Sequence, residues 1–279
     1  MTYTTKRHAG AQNAVSSVTN YWARNGISFY TKKHPVVGLQ LKGYQKIKPS
    51  KKRKRNPFTI DFIRIAIQRQ IIDLDTFHGA LMGASLALGY FNGLRIKEYA
   101  IDKQAIAEGS VMLRRRNLTF DLSILKRIIG SVITLDKSKT DQFGTEQHQV
   151  STECTCPGPC GPHLLYNYLT IRKKTLGPIH PEDPLLANDK GNPLKPEYVS
   201  NIIKNIITQL DLNPDFYQTH SLRIGACSDM ARANIQEFHI QKWGRWKSDC
   251  WKNIYNRIDY RDLAKLTHTA VAQWAFNHK

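Results

Sequence analysis

Apolar residues in this chain recur at helical spacing along most of its length, and the pattern switches to period two over one stretch. Ile63, Ala66, Ile67, Ile71 and Leu74 make one helical face, and Phe77, Leu81, Ala84, Leu88 and Phe91 make the next. Val199, Ile202, Ile203, Ile206, Ile207 and Leu210 form a longer stripe, with Pro196 suited to its first turn. Leu263, Leu266, Ala270, Val271 and Trp274 mark a last helix at about residues 261–277. Residues 110–151 differ. There Leu118, Phe120 and Leu122 alternate with polar residues, and Ser131–Leu135 is the β-branched run SVITL. This predicts a small antiparallel sheet with a turn near Asp141–Gly144. The fold class expected is therefore mainly α with a small antiparallel β-sheet. Hydrophobic residues at 41% of the chain suffice for a real core. No internal repeat is visible, and no apolar run reaches the ~18 residues of a membrane span.

The first sixty residues have another character. Ala11, Val15, Val18 and Trp22 predict a short amphipathic helix at about 11–25. A polar, basic stretch follows, with Gly26, Pro35 and Gly43 as breakers, and ends in KPSKKRKRNP, Lys48–Pro57. This segment is the best linker in the chain, so two parts are expected, 1–56 and 57–279. Charge divides the same way. The chain carries 41 Lys+Arg against 22 Asp+Glu, a net +19, yet residues 1–60 hold thirteen Lys/Arg and no acidic residue before Asp61. A basic arm ahead of a nearly balanced body calls for a polyanion, most simply nucleic acid. Lys51, Lys52, Arg53, Lys54 and Arg55 are the candidate DNA contacts. The same run reads as a nuclear import signal, so a nuclear location is expected in a eukaryotic host and cytoplasmic DNA association otherwise. A membrane surface fits less well, because no helix pairs a basic face with a large apolar one. The opening MTYTTKRHAG has no apolar signal core. Five cysteines, an odd number, argue for a reducing compartment.

Three segments hold the residues suited to chemistry: GLRIKE at Gly93–Glu98, SKTDQFG at Ser138–Gly144, and HSLRIGA at His220–Ala226 with GRWKSDCWKNIY at Gly244–Tyr255. They supply two arginines, a lysine, a histidine, a tryptophan and a tyrosine, without a carboxylate cluster or a phosphate-cradling glycine loop. This set suits a phosphodiester. Guanidinium forks match non-bridging phosphate oxygens, a lysine can protonate a leaving alkoxide, and a tyrosine can attack phosphorus. His220 and Arg223, three apart, share the first turn of a predicted helix with Thr219 as its N-cap, where backbone N–H groups favour an anion. Arg95 follows Gly93 at the end of an apolar helix, and Lys139 lies at the expected hairpin tip.

Taken together, these segments resemble the tyrosine recombinase (phage integrase) family. GLRIKE resembles its first arginine box, SKTDQFG its hairpin-lysine segment, HSLRIGA its H-x-x-R box, and GRW followed by Tyr255 its last box. The order matches, and so does the spacing, with 23 residues from Arg223 to Trp246 and nine from there to Tyr255. The wording is most similar to integrase-type recombinases of mobile elements and viruses. The resemblance implies a tyrosine-recombinase catalytic domain preceded by a short or truncated helical core-binding segment and a basic linker. It implies that Arg95 and Arg223 clamp the scissile phosphate, Tyr255 attacks it, Lys139 is the general acid, and His220 assists proton transfer or binds phosphate. It further implies that Trp246 donates its indole N–H to the phosphate and that Glu98 orients an active-site cation. Rivals exist for some roles: Lys137 and Lys126 for Lys139, Tyr260 for Tyr255, and core packing for Trp246. Tyr217 reads as packing. The implied partners are double-stranded DNA and three further copies in a homotetramer, with no cofactor and no membrane. A type IB topoisomerase and a DNA-binding regulator with a vestigial site are the alternatives.

One cluster lies outside that pattern. Cys154, Cys156, Cys160 and His163 stand as C-x-C-x3-C-x2-H. Thiolates and an imidazole so close can hold zinc. The spacing is tight and irregular and no second half is visible, so the expectation is an ordinary thiol-bearing loop without metal.

Overall fold

The computed structural model describes residues 8–26, 35–47, 55–101, 113–136, 148–157, 159–249 and 251–252. The chain divides into two compact units, Met1–Lys54 and Arg55–Lys279. In the first, helix α1 (His8–Arg24) is followed by α2 (Pro35–Ile47). Helix α2 is an addition to the sequence expectation, which takes Pro35 and Gly43 as breakers. Pro35 instead occupies the first helical position, where its missing N–H costs nothing. Val18, Tyr21, Val36 and Leu39 remain exposed.

The second unit is built around α4 (Phe77–Tyr90). Gly79 to Tyr90 are all buried, so this helix is apolar on every face. Thr76 caps it, accepting a hydrogen bond from the Gly79 N–H at 3.1 Å. Helices α3 (Ile60–Gln68), α6 (Gly161–Leu176), α7 (Pro196–Gln209) and α8 (His220–Arg232) form the surrounding layer, with short α5 (Ile96–Tyr99) and α9 (Glu237–Trp243) beside it. α4 packs on α6, α7 and α8. Asp229 of α8 ties three elements together: it accepts from the Tyr90 hydroxyl at 2.5 Å and the Ile60 N–H at 2.8 Å.

The sheet is three-stranded and antiparallel in the order β1 (Leu118–Leu122), β2 (Ile128–Leu135), β3 (His148–Glu153). Leu118 faces Ile133, and Ile133 faces Val150, which sets one apolar face toward the helices. The mainly helical body with its small inserted sheet is as expected.

Several details differ. The stripe expected to run from Ile63 to Leu74 ends as a helix at Gln68, where Gln70 takes a positive φ of 56° and the chain turns. Helix α6 is absent from the sequence reading, although Leu164, Leu165, Tyr168 and Leu169 form its buried face. Thr219 does precede α8, but its own backbone is helical and its side chain makes no capping bond. The turn at Asp141–Gly144 and the helix at 261–277 lie outside the described residues.

Candidate active site

The turn after α4 is the hinge of the site. Gly93 has φ +56°, a left-handed conformation that strains other residues, and a Cβ there would come within 2.7 Å of the Trp243 ring. This turn delivers Arg95 to the start of α5. Glu98 closes the first turn of α5 back on it, accepting from the Arg95 backbone N–H at 2.7 Å and from its guanidinium at 3.1 Å. Glu98 also accepts from Arg245 Nη2 at 2.7 Å. The Glu98 side chain is 8% exposed. Burial alone raises a carboxyl pKa, but the Arg245 charge and hydrogen bond, with those from Arg95, outweigh it and hold Glu98 below the usual carboxylate range. Glu98 thus orients two cations.

Arg245 is a residue of the candidate site that the sequence does not point to, although it stands in GRW itself, beside Trp246. Arg245 has a positive φ of 54°, so the turn after α9 aims it back at Glu98 and toward the Gly93 carbonyl at 3.4 Å.

Arg223 lies in the first turn of α8 and is 1% exposed. Its guanidinium donates to the Gly93 carbonyl through Nη1 and to the Gly244 carbonyl through Nη2 at 2.8 Å. Its central carbon also sits 5.0 Å from the Trp246 ring centroid, a cation–π contact. Arg223 is thereby a strut joining the GLRIKE, HSLRIGA and GRW segments, not an open fork at the surface. Trp246 stacks on Trp251, with centroids 5.3 Å apart and planes 12° from parallel.

His220 opens α8 and is exposed to solvent. Desolvation of its imidazole, then the charges of Arg223 and Arg95, push its pKa down to about 4. It is therefore neutral near pH 7, able to accept a proton or to donate one ring N–H. Around Glu98 the described residues set three guanidiniums and one imidazole against one carboxylate, which leaves a cationic site suited to an anion.

Lys139 and Tyr255, the expected acid and nucleophile, lie outside the described residues, as do Lys51, Lys52, Arg53 and Lys54. Arg55 is described, and its Nη1 donates to the Asp215 carbonyl at 2.7 Å. Tyr217 packs edge-on against Phe62. Among the described residues, Cys154, Cys156, Cys160 and His163 also come together, their ligand atoms all within 4.8 Å of one another. No helix among the described residues is long and apolar enough to cross a membrane.

No protein-family profile matches this chain. No curated protein matches it either. Solved structures do. XerH site-specific recombinase bound to palindromic difH substrate, a post-cleavage complex, is 17% identical with a TM-score of 0.56, over 94% of this chain and 69% of that one. The XerH pre-cleavage complex with difH substrate gives 18% and 0.51, over 94% and 70%. XerA recombinase gives 13% and 0.54, over 97% and 85%. At such identities the likeness is one of architecture, and by architecture this chain has the tyrosine-recombinase fold: a helical body with a small antiparallel sheet.

Proposed function

We propose that this chain is a site-specific DNA recombinase that cleaves and rejoins strands through a 3′-phosphotyrosyl intermediate. The observation that carries the reading is the convergence of Arg95, from one sequence segment, and His220 and Arg223, from another, on one cationic site whose single carboxylate among the described residues is already engaged by Arg95 and Arg245. Such a site stabilises the charge that develops on a pentacoordinate phosphorus. The Tyr255 oxygen attacks phosphorus, the 5′-oxygen departs with a proton from Lys139, and a free 5′-OH remains. Neutral His220 accepts the tyrosine proton or donates to a phosphate oxygen. Arg95, with 22% of its side chain exposed, meets the phosphate directly. Arg223 engages it by exchanging a carbonyl partner for a phosphate oxygen. Attack by a second strand's 5′-OH reverses the step and frees the tyrosine, so the bond energy is conserved without a cofactor.

The partner is double-stranded DNA, gripped in part by Lys51–Arg55, and exchange between two duplexes takes a homotetramer. The fold and the excess of basic residues before Asp61 support this partner. In a eukaryotic host the KKRKR run serves nuclear import as well. The test is a nicked suicide duplex that loses its 5′-OH fragment after cleavage. Wild type is expected to form an SDS-stable protein–DNA adduct and Tyr255→Phe to form none while still binding. An equal adduct in Tyr255→Phe overturns the nucleophile. Binding without an adduct on any nicked or cognate duplex makes the chain a DNA-binding protein with an inert site.

A further inference from the structure

Strand β3 ends at Glu153 and α6 begins at Gly161, and the connection between them folds tightly on itself. The Cys154 N–H extends the sheet ladder to the Ile129 carbonyl at 2.8 Å. Thr155 bonds across the loop to the Pro159 carbonyl at 2.9 Å. Cys160 is the residue before α6, and its carbonyl accepts from the Leu164 N–H at 3.0 Å. His163 is three residues further on and shares the face of Cys160.

The result is one nitrogen surrounded by three sulfurs. His163 Nδ1 lies 3.4 Å from the Cys154 sulfur, 3.5 Å from that of Cys156 and 3.1 Å from that of Cys160. The Cys154 and Cys160 sulfurs are 3.5 Å apart. Hydrogen bonding does not account for this. An imidazole nitrogen offers either one lone pair or one proton, and so serves one partner well, not three. A tetrahedral ion does account for it. With Zn–S near 2.3 Å and Zn–N near 2.05 Å, the edges of the ligand tetrahedron are about 3.8 Å between sulfurs and about 3.5 Å between sulfur and nitrogen. These four separations fall close to those edges, and all four ligand atoms lie within 4.8 Å of one another.

We propose that Cys154, Cys156, Cys160 and His163 form a structural zinc site that clasps the end of β3 to the first turn of α6. Three thiolates and one imidazole are a closed, four-coordinate set with no position left for substrate, and thiolate donors select zinc over oxygen-seeking magnesium or calcium. The clasp has a mechanical context. Next to it, Asn92 donates to the Thr152 hydroxyl of β3 at 2.7 Å, one residue before the Gly93 turn. Gly161 is pressed on Phe91, where a Cβ would meet the ring-bearing carbon at 2.9 Å. Metal and hydrogen bond together hold β3 between the end of α4 and the start of α6. The inference rests on the ligand geometry and stands apart from the proposed recombinase chemistry.

The test is elemental analysis of the full chain, expressed with zinc and purified under reductant without chelator. About one zinc per chain is expected. Cobalt substitution is expected to give thiolate-to-cobalt charge transfer and intense tetrahedral visible bands. Cys156→Ser and His163→Ala should each lose zinc to a competing chelator at least about tenfold more readily. Both residues are exposed, so these variants keep the core intact, which circular dichroism checks. Cys227→Ala, a buried cysteine of α8, should retain the metal. Folded wild type with less than about a tenth of an equivalent of zinc and no cobalt charge transfer overturns the proposal. So does unchanged metal retention in both ligand variants, or a Cys154–Cys160 disulfide in metal-free protein.

Discussion

Glu98 is the residue on which the site's electrostatics turn. Its carboxylate and Arg245 are 8% and 11% exposed and 2.7 Å apart, so water compensates little for the loss of either. Arg245→Ala leaves Glu98 with Arg95 alone, and breaking a buried pair from one side costs about 3–5 kcal/mol. Urea denaturation is expected to show a loss of that order, and Glu98→Gln combined with Arg245→Met should recover much of it because no charge is left stranded. A loss as large in the double variant would show that packing, not charge, is at stake. His220 makes a separate contribution through pH. Its folded pKa of about 4 lies below the unfolded value of about 6.5, so the unfolded chain binds the extra proton between them. This contribution is full above pH about 6.5 and declines as pH falls toward about 4. His220→Asn should flatten that segment of the stability profile, and an unchanged slope would place the acid sensitivity in the carboxylates.

At the scale of elements, the close approach of α8 to the chain entering α3 is a tight constraint. The Phe58 N–H donates to the Ser221 carbonyl at 2.9 Å, and a Cβ on Gly225 would lie 1.8 Å from the Phe58 carbonyl oxygen. That neighbour is backbone and cannot rotate aside. Gly225→Ala should therefore destabilise by at least the ~1–3 kcal/mol of an overpacked core, and the melting temperature should drop by roughly 2–4 °C per kcal/mol. An unshifted melting temperature would mean that α8 can slide. The same glycine sits inside HSLRIGA, so part of that motif's wording is about helix packing. Sequence spacing alone carried α7, which buries one clear stripe, and α4, whose apolar residues recur at helical intervals although the helix is buried all round. It did not carry α2, whose helix includes Pro35, Gly38 and Gly43 and leaves Val36 and Leu39 exposed. Arg245 was invisible for another reason. Its partner Glu98 is 147 residues away, and only the left-handed turn at Arg245 brings them together. The cysteine cluster was legible as ligand types but not as geometry, since its irregular spacing becomes convergent only once β3 and α6 are set side by side.

Over the whole molecule, charge and chemistry are partitioned. Residues 1–54 hold twelve Lys/Arg and no Asp or Glu, whereas the described groups of the candidate site all belong to the unit Arg55–Lys279. If the first unit supplies phosphate contacts and the second the reacting groups, affinity and rate should respond to different substitutions. Each phosphate neutralised adds about −0.9 to the slope of log K against log salt. Changing Lys51, Lys52, Arg53 and Lys54 together to Gln should flatten that slope by up to about 3.6, the four contacts at most. Arg95→Ala should change the slope by about one contact or less, yet slow single-turnover adduct formation at saturating DNA by about 10²–10³, the scale of a lost transition-state donor. The measurement is a salt titration of duplex binding beside single-turnover cleavage of the nicked substrate. An unchanged slope in the fourfold variant would remove the basic run from the DNA contact. Such a result would place the phosphate contacts elsewhere in the chain.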